Sequence, residues 1–146
     1  KDFHHPKEAL AIFQGRHTYI SANWYQSENM VPTWNYSSVH VYGIPNIIKQ
    51  TEQVVEVLSS LTKLFEQNSK QKWTLDSLNR DILYTMLKNI VAFDIRITRV
   101  EAKWKMGQNR KPQDVLSAAS HLENSKNDIM SNVAKDMRRY LRDRRT

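Results

Sequence analysis

The chain has no cysteine among its 146 residues. That excludes a fold resting on disulfides and any cysteine-ligated zinc centre. It has no apolar run near the roughly 18 residues needed to span a bilayer. No charged-then-apolar signal pattern opens it. Also missing are G-x-S-x-G, G-x-x-x-x-G-K-[ST], G-x-G-x-x-G and H-E-x-x-H, so hydrolase-elbow, P-loop, dinucleotide and zincin readings have no support. No two carboxylates have a spacing that suggests acid/base work. His4 and His5 are adjacent, and adjacent strand residues point to opposite faces. A solvated pair therefore reads better than a metal pair, and the sequence offers no catalytic set and no metal set.

What remains is ordinary globular material. Hydrophobic residues make up 40% and charged residues 25%, which suits one domain with a real core rather than a disordered chain. The net charge is +7, but it is unevenly spread. Between Lys135 and Arg145 six cations stand against two acids, so four of the seven net charges sit in the last dozen residues. This is a basic tail rather than a basic protein.

Along the chain, Ala9 to Phe13 and His17 to Ser21 are strand-like, and Gln14, Gly15 and Arg16 between them predict a hairpin. Val39, Val41, Ile44, Ile47 and Ile48 predict a longer strand, with Pro45 placing it at a sheet edge or marking a bulge. Helical spacing follows in Val54, Leu58, Leu61 and Phe65, with Thr51 as N-cap. Asp76 or Ser77 is the expected cap of a second helix through Leu78, Ile82, Leu83, Met86 and Leu87, giving a helical pair over about 51–88. Ile90 to Ile97 alternates as a half-buried strand that continues toward Trp104. Pro112 suits the first turn of a third helix. Ile129, Val133, Met137 and Leu141, four apart, make a last one. Strands and helices are segregated rather than alternating, which predicts α+β.

Three stretches mix flat rings with amides and cations. The first is F-Q-G-R-H-T-Y-I-S-A-N-W-Y, from Phe13 to Tyr25. The second is V-P-T-W-N-Y-S-S-V-H-V-Y-G, from Val31 to Gly43. In it Val39 and Val41 are expected to face the core, and His40 and Tyr42 the other way. The third is K-W-K-M-G-Q-N-R, from Lys103 to Arg110. It is either an anion-holding loop rich in donors or a polar strand-to-helix connection. Each stretch lies at the edge of a strand, and flavins, haem and nucleobases all need flat apolar surface with a few directed donors.

These three stretches, in this order and spacing, resemble the PaiB-type negative transcriptional regulators. The resemblance runs from Lys1 to about Leu122. It implies a flavin-reductase-like split β-barrel, mostly antiparallel with peripheral helices, that binds FMN and pairs as a homodimer in the bacterial cytoplasm. It further implies repression of protease synthesis and sporulation genes. The family's first barrel strands are absent from this sequence, so residues 1–124 are expected to be a split-barrel domain lacking its N-terminal part. Residues 125–146 are expected to be a basic C-terminal helix or tail. Arg16 stands where the family commonly has proline, and Gly107 where it commonly has serine.

On the matched positions, Trp34 and Tyr36 offer ring faces to FMN. Asn35 and His40 offer hydrogen bonds to its ring edge or ribityl chain. Lys105 and Arg110 are expected at its phosphate, ordered by Gln108 and Asn109, with Trp24, Tyr25 and Lys103 as secondary candidates. The alternative function is a flavin-dependent oxidoreductase, or a haem-binding or haem-degrading enzyme on a similar barrel with His40 as ligand. No feature demands turnover, so the regulatory reading leads. DNA is the alternative partner of the basic tail, although no helix-turn-helix signal accompanies it and a solvated helix packed on the body reads better. No membrane partner is expected.

Overall fold

The computed structural model describes residues 7–143, so His4, His5, Arg144 and Arg145 lie outside the described residues. Three strands, β1 (Ala9–Ile20), β2 (Thr33–Ile47) and β3 (Phe93–Lys105), form one antiparallel sheet in the order β1-β2-β3. Four helices follow the expected segregation: α1 (Thr51–Glu66), α2 (Arg80–Leu87), α3 (Pro112–Glu123) and α4 (Asp128–Asp143). The fold is α+β.

The chain divides into two compact units. One contains residues 1–9 and 42–98, the other residues 10–41 and 99–146. The core lies in the second. Ile20 from β1 and Met106 just after β3 pack with Val115, Ala118, Ala119 and Leu122 of α3 and Val133, Ala134 and Met137 of α4. Pro112 opens α3 where its missing N–H costs nothing. Asn127 begins α4, its Oδ1 accepting from the N–H groups of Ile129 and Met130 at 2.9 and 3.2 Å. Arg138 clamps the two helices, donating to both carboxylate oxygens of Glu123 at 2.7 and 2.8 Å and to Ser120 Oγ at 2.9 Å. The hydrogen bond from Arg138 pulls the Glu123 carboxyl below its ordinary range.

In the first unit, Asn79 rather than Asp76 or Ser77 caps α2, accepting from the Asp81 N–H at 2.8 Å. Asp76 and Ser77 instead belong to a single 3₁₀ turn at Leu75–Ser77. Thr51 is the first residue of α1, and the N-cap position is taken by Gln50, whose side chain makes no capping bond. Neither α1 nor α2 has a buried residue.

Five expectations about the strands need correction. No hairpin interrupts residues 9–20, because β1 runs straight through Gly15. Gly15 serves a close approach instead of a turn: a Cβ there would lie 2.3 Å from Ser37 Oγ. The strand β2 is central rather than at an edge, with Pro45 in its last three residues. Trp34 to Tyr36 lie within that strand rather than before it. The alternation over 90–97 does mark a strand, but its apolar row is not half-buried, since Phe93 and Ile97 are exposed. Val39 is exposed too, so the valine row of β2 is not a core row. Period-2 alternation reports a strand's two faces, not whether anything covers either one.

Candidate functional site

All eleven candidate residues fall in the second unit. They do not fall in one place, and the pleat of β2 is the first reason. Successive side chains of a strand point to opposite faces. Asn35 points to one face of the sheet, where it is 1% exposed. Its Oδ1 meets no hydrogen-bond partner among the described residues. Trp34, Tyr36, Ser38 and His40 share the other face.

That other face carries a groove of about 460 Å³ lined by Gln14 of β1, Tyr36, Ser38 and His40 of β2, and Glu101, Ala102 and Lys103 of β3. The size lies within the range typical of small-ligand sites, roughly 300–1,000 Å³. Its wall offers one phenol ring, one imidazole, one hydroxyl, one amide, one ammonium and one carboxylate. Glu101 takes a hydrogen bond from Arg99, which offsets its charge within the groove. At one end, Lys105 Nζ lies 6.0 Å from the Tyr36 ring centroid. Trp34 is 53% exposed and is held between His17 and Tyr19, with ring centroids 6.2 and 6.0 Å away.

His17 and Tyr19 meet Trp34 on the same face as Gln14. Gln14 and His17 are three positions apart, an odd step that strict alternation forbids. The alternation therefore slips by one at Gly15–Arg16, the pattern of a β-bulge. Arg16 turns toward α4, donating to the Asp136 carboxylate at 3.1 Å.

The remaining candidates are engaged elsewhere. Lys105 donates to Thr33 Oγ1 and, at 2.7 Å, to the Trp34 carbonyl, so it ties the end of β3 to the start of β2. Gln108 closes the turn after β3: its Oε1 accepts from the Met106 N–H at 2.8 Å, and its Nε2 donates to the Trp104 carbonyl. Gly107 takes φ = 88° there, and the Arg110 N–H returns to the Gly107 carbonyl at 2.9 Å. Arg110 lies 5.4 Å from the Tyr25 ring centroid and donates to Met30 Sδ at 3.8 Å. Burial raises the Tyr25 phenol above its ordinary value, although the Arg110 charge works against it. Trp24 stacks on His121 of α3 with an interplanar angle of 10°. Asn109 is exposed.

Of Lys103 to Arg110, only Lys103 lines this groove. Three polar residues of the groove, Gln14, Ser38 and Glu101, were not singled out from the sequence. The strand periodicity placed Ser38 beside Tyr36 and His40, so that one was legible; the other two depend on how the strands pair.

A residue of a different kind also escaped. Asp114, in the first turn of α3, is 1% exposed. Its Oδ1 accepts from the N–H groups of Gln26 and Ser27, both at 2.9 Å, and its Oδ2 from Ser27 Oγ at 2.8 Å. Burial alone would raise its pKa. The three donors, with the Lys111 charge, outweigh that and hold it below the ordinary value. This carboxylate pins the loop after β1 to the start of α3.

Comparison with known proteins decides the family. Residues 1–99 match the family described as "Putative FMN-binding domain". The chain belongs to this FMN-binding domain family. Over 136 residues it is 35% identical to the protease synthase and sporulation protein PAI 2 of Bacillus subtilis, a match covering 93% of this chain and 65% of that protein. It is 27% identical over 147 residues to the uncharacterized protein AN0679 of Emericella nidulans, covering 90% of this chain and 58% of that one. A shorter match, 36% over 66 residues, links it to the uncharacterized protein YKL070W of Saccharomyces cerevisiae. The chain spans 65% and 58% of the lengths of the first two relatives. In FMN-binding family terms the groove straddles the matched region, with Gln14, Tyr36, Ser38 and His40 inside it and Glu101 and Lys103 just past its end.

No helix among the described residues is long and apolar enough to cross a membrane. No group of three or more His, Cys, Asp or Glu side chains suited to a metal ion occurs among them.

Proposed function

We propose that the chain is the FMN-binding part of a PaiB-type regulator, acting as a homodimer in the cytoplasm, with its flavin in the groove of β1, β2 and β3. The observation that carries this reading is the meeting of Tyr36, His40 and Lys103 across two strands in one groove, in a chain of an FMN-binding family. The residues suit the ligand. Tyr36 offers a ring face for stacking. His40, Ser38 and Gln14 offer hydrogen bonds to ring-edge and ribityl oxygens. Lys103 is an ammonium for the phosphate, with Lys105 beside it but already committed to β2. When bound, FMN supplies one- or two-electron redox chemistry; the protein's part is to hold and orient it. The regulatory half of the proposal rests on the relationship to PAI 2.

Titrating FMN into the protein and following the quenching of flavin fluorescence tests the site. Binding is expected. Tyr36→Ala is expected to weaken it by about three- to tenfold, the loss of one ring contact, and Lys103→Ala by a similar factor. Unchanged affinity in both variants would remove the groove from the reading while leaving the family intact.

The homodimer is supported by large apolar side chains in solvent on the strands of this unit, with Ile12, Phe13 and Val100 each more than half exposed. Sedimentation velocity should give a two-chain particle at micromolar concentration, and Phe13→Ser should shift it toward one chain. A single-chain particle across that range would refute the pairing.

A further inference from the structure

A second concave surface lies away from the sheet groove, between α3 and α4. It has a volume of about 420 Å³ and is lined by Leu116, Lys135, Arg138, Leu141 and Arg142. Its apolar part is Leu116, 38% exposed on α3, and Leu141, half-buried on α4. Its rim is cationic. Lys135, Arg138 and Arg142 stand at i, i+3 and i+7, one stripe along a helix spanning about 10 Å. Arg138 is neutralised by Glu123. Among the described residues, neither Lys135 nor Arg142 forms an ion pair with a carboxylate, although the Lys135 charge also acts on Glu123.

We infer that this groove is a docking site for an acidic amphipathic helix of another protein, a leucine-type side chain seated between Leu116 and Leu141 and carboxylates meeting Lys135 and Arg142. Charge complementarity selects the sign of the partner. The apolar floor selects its class. Helix-in-groove recognition combines one or two apolar anchors with flanking charge, whereas a phosphate backbone has no use for two leucines. A second copy of this chain is a poor occupant for the same groove, because the chain as a whole carries a net charge of +7. The site is separate from the flavin groove, so its success or failure leaves the FMN reading where it stands.

The test uses the whole chain. The probe is a capped peptide of four helical turns, leucine on one face and glutamate on the other, measured by calorimetry. A scrambled peptide of the same composition, a random-sequence DNA duplex and vesicles of mixed phosphatidylserine and phosphatidylcholine are compared with it. The ordered peptide is expected to bind best. The double variant K135E/R142E is expected to weaken it by about tenfold, and Leu116→Ser by several-fold, with circular dichroism and FMN titration unchanged in both. A peptide that binds both variants as well as the parent overturns the proposal. Tighter binding by the duplex or the vesicles, lost in the double variant, overturns it in favour of nucleic acid or lipid.

Discussion

Asp114→Ala is expected to lower stability by about 3 kcal/mol or more, measured as the loss in unfolding free energy by urea denaturation. The reason is the asymmetry of buried hydrogen bonds. A made bond contributes modestly, about 1.5–3 kcal/mol when one partner is charged, but an orphaned buried donor costs about 1–3 kcal/mol more. Removing this carboxylate orphans the N–H groups of Gln26 and Ser27 and the Ser27 hydroxyl together. It also takes an anion from the first turn of α3, where the helix dipole favours one, and no side chain caps that helix. Asp114→Asn keeps the shape and one acceptor and should fall between the two. The sign of the pH dependence follows from the lowered pKa. The carboxyl titrates below its ordinary 3.8 in the folded chain, so the unfolded chain binds the proton first as pH falls. Its stabilisation is complete above the ordinary carboxylate range and is lost as pH drops through 3.8 toward the lower, folded value. The Asn variant should lose less stability over that window. An Ala variant within about 0.5 kcal/mol of the parent, the scatter of a plain surface change, would show that the loop is held by something else.

Much of the fold could be read before any coordinates. Pro112 and the four-residue spacing of Val133 and Met137 placed α3 and α4, and alternation placed β3. Physical causes that sequence shows well are those that act locally: a cap, a fixed φ, a period. What it hid is what acts across the chain. Gly15 looks the same whether it makes a turn or lets Ser37 approach, and only pairing tells them apart. Phe93 and Ile97 satisfy the strand period whether or not a layer covers them. The grouping of the candidate residues was hidden for the same reason. Trp34, Asn35 and Tyr36 read as one polar-aromatic group, but the pleat turns Asn35 to a buried place on one face and Tyr36 into the groove on the other. Lys105 and Gln108 read as ligand donors, and the sequence does not show that they also donate to the Trp34 and Trp104 carbonyls. Asp114 gave a fainter signal, an acid in the first turn of a helix opened by proline, and nothing in the sequence pointed from it to Ser27.

Gly43→Ala should be far more damaging than Gly15→Ala, although both glycines lie inside strands. At Gly43 a Cβ would sit 2.5 Å from the Arg96 carbonyl oxygen, 2.9 Å from its carbonyl carbon and 2.5 Å from Ile95 Cγ2. Two of those atoms are backbone of the neighbouring strand. They cannot retreat without opening the β2–β3 pairing, so a cost of about 3 kcal/mol, the upper range for overpacking, is expected. At Gly15 the first obstacle, at 2.3 Å, is Ser37 Oγ, and the backbone oxygen behind it stands at 3.3 Å. A hydroxyl can turn to another rotamer, so the cost should stay near 1 kcal/mol and Ser37→Ala should relieve it. No such partner can rescue Gly43. The ordering, read from thermal or urea midpoints, is therefore sharper than either value alone: equal midpoints for the two variants would break the argument. It also separates fold from ligand within V-H-V-Y-G. His40 lines the groove, while Gly43 belongs to the other unit and exists to let two backbones meet. Folded Gly43→Ala protein should then take up FMN with the parent's affinity while unfolding earlier, whereas Tyr36→Ala should do the reverse.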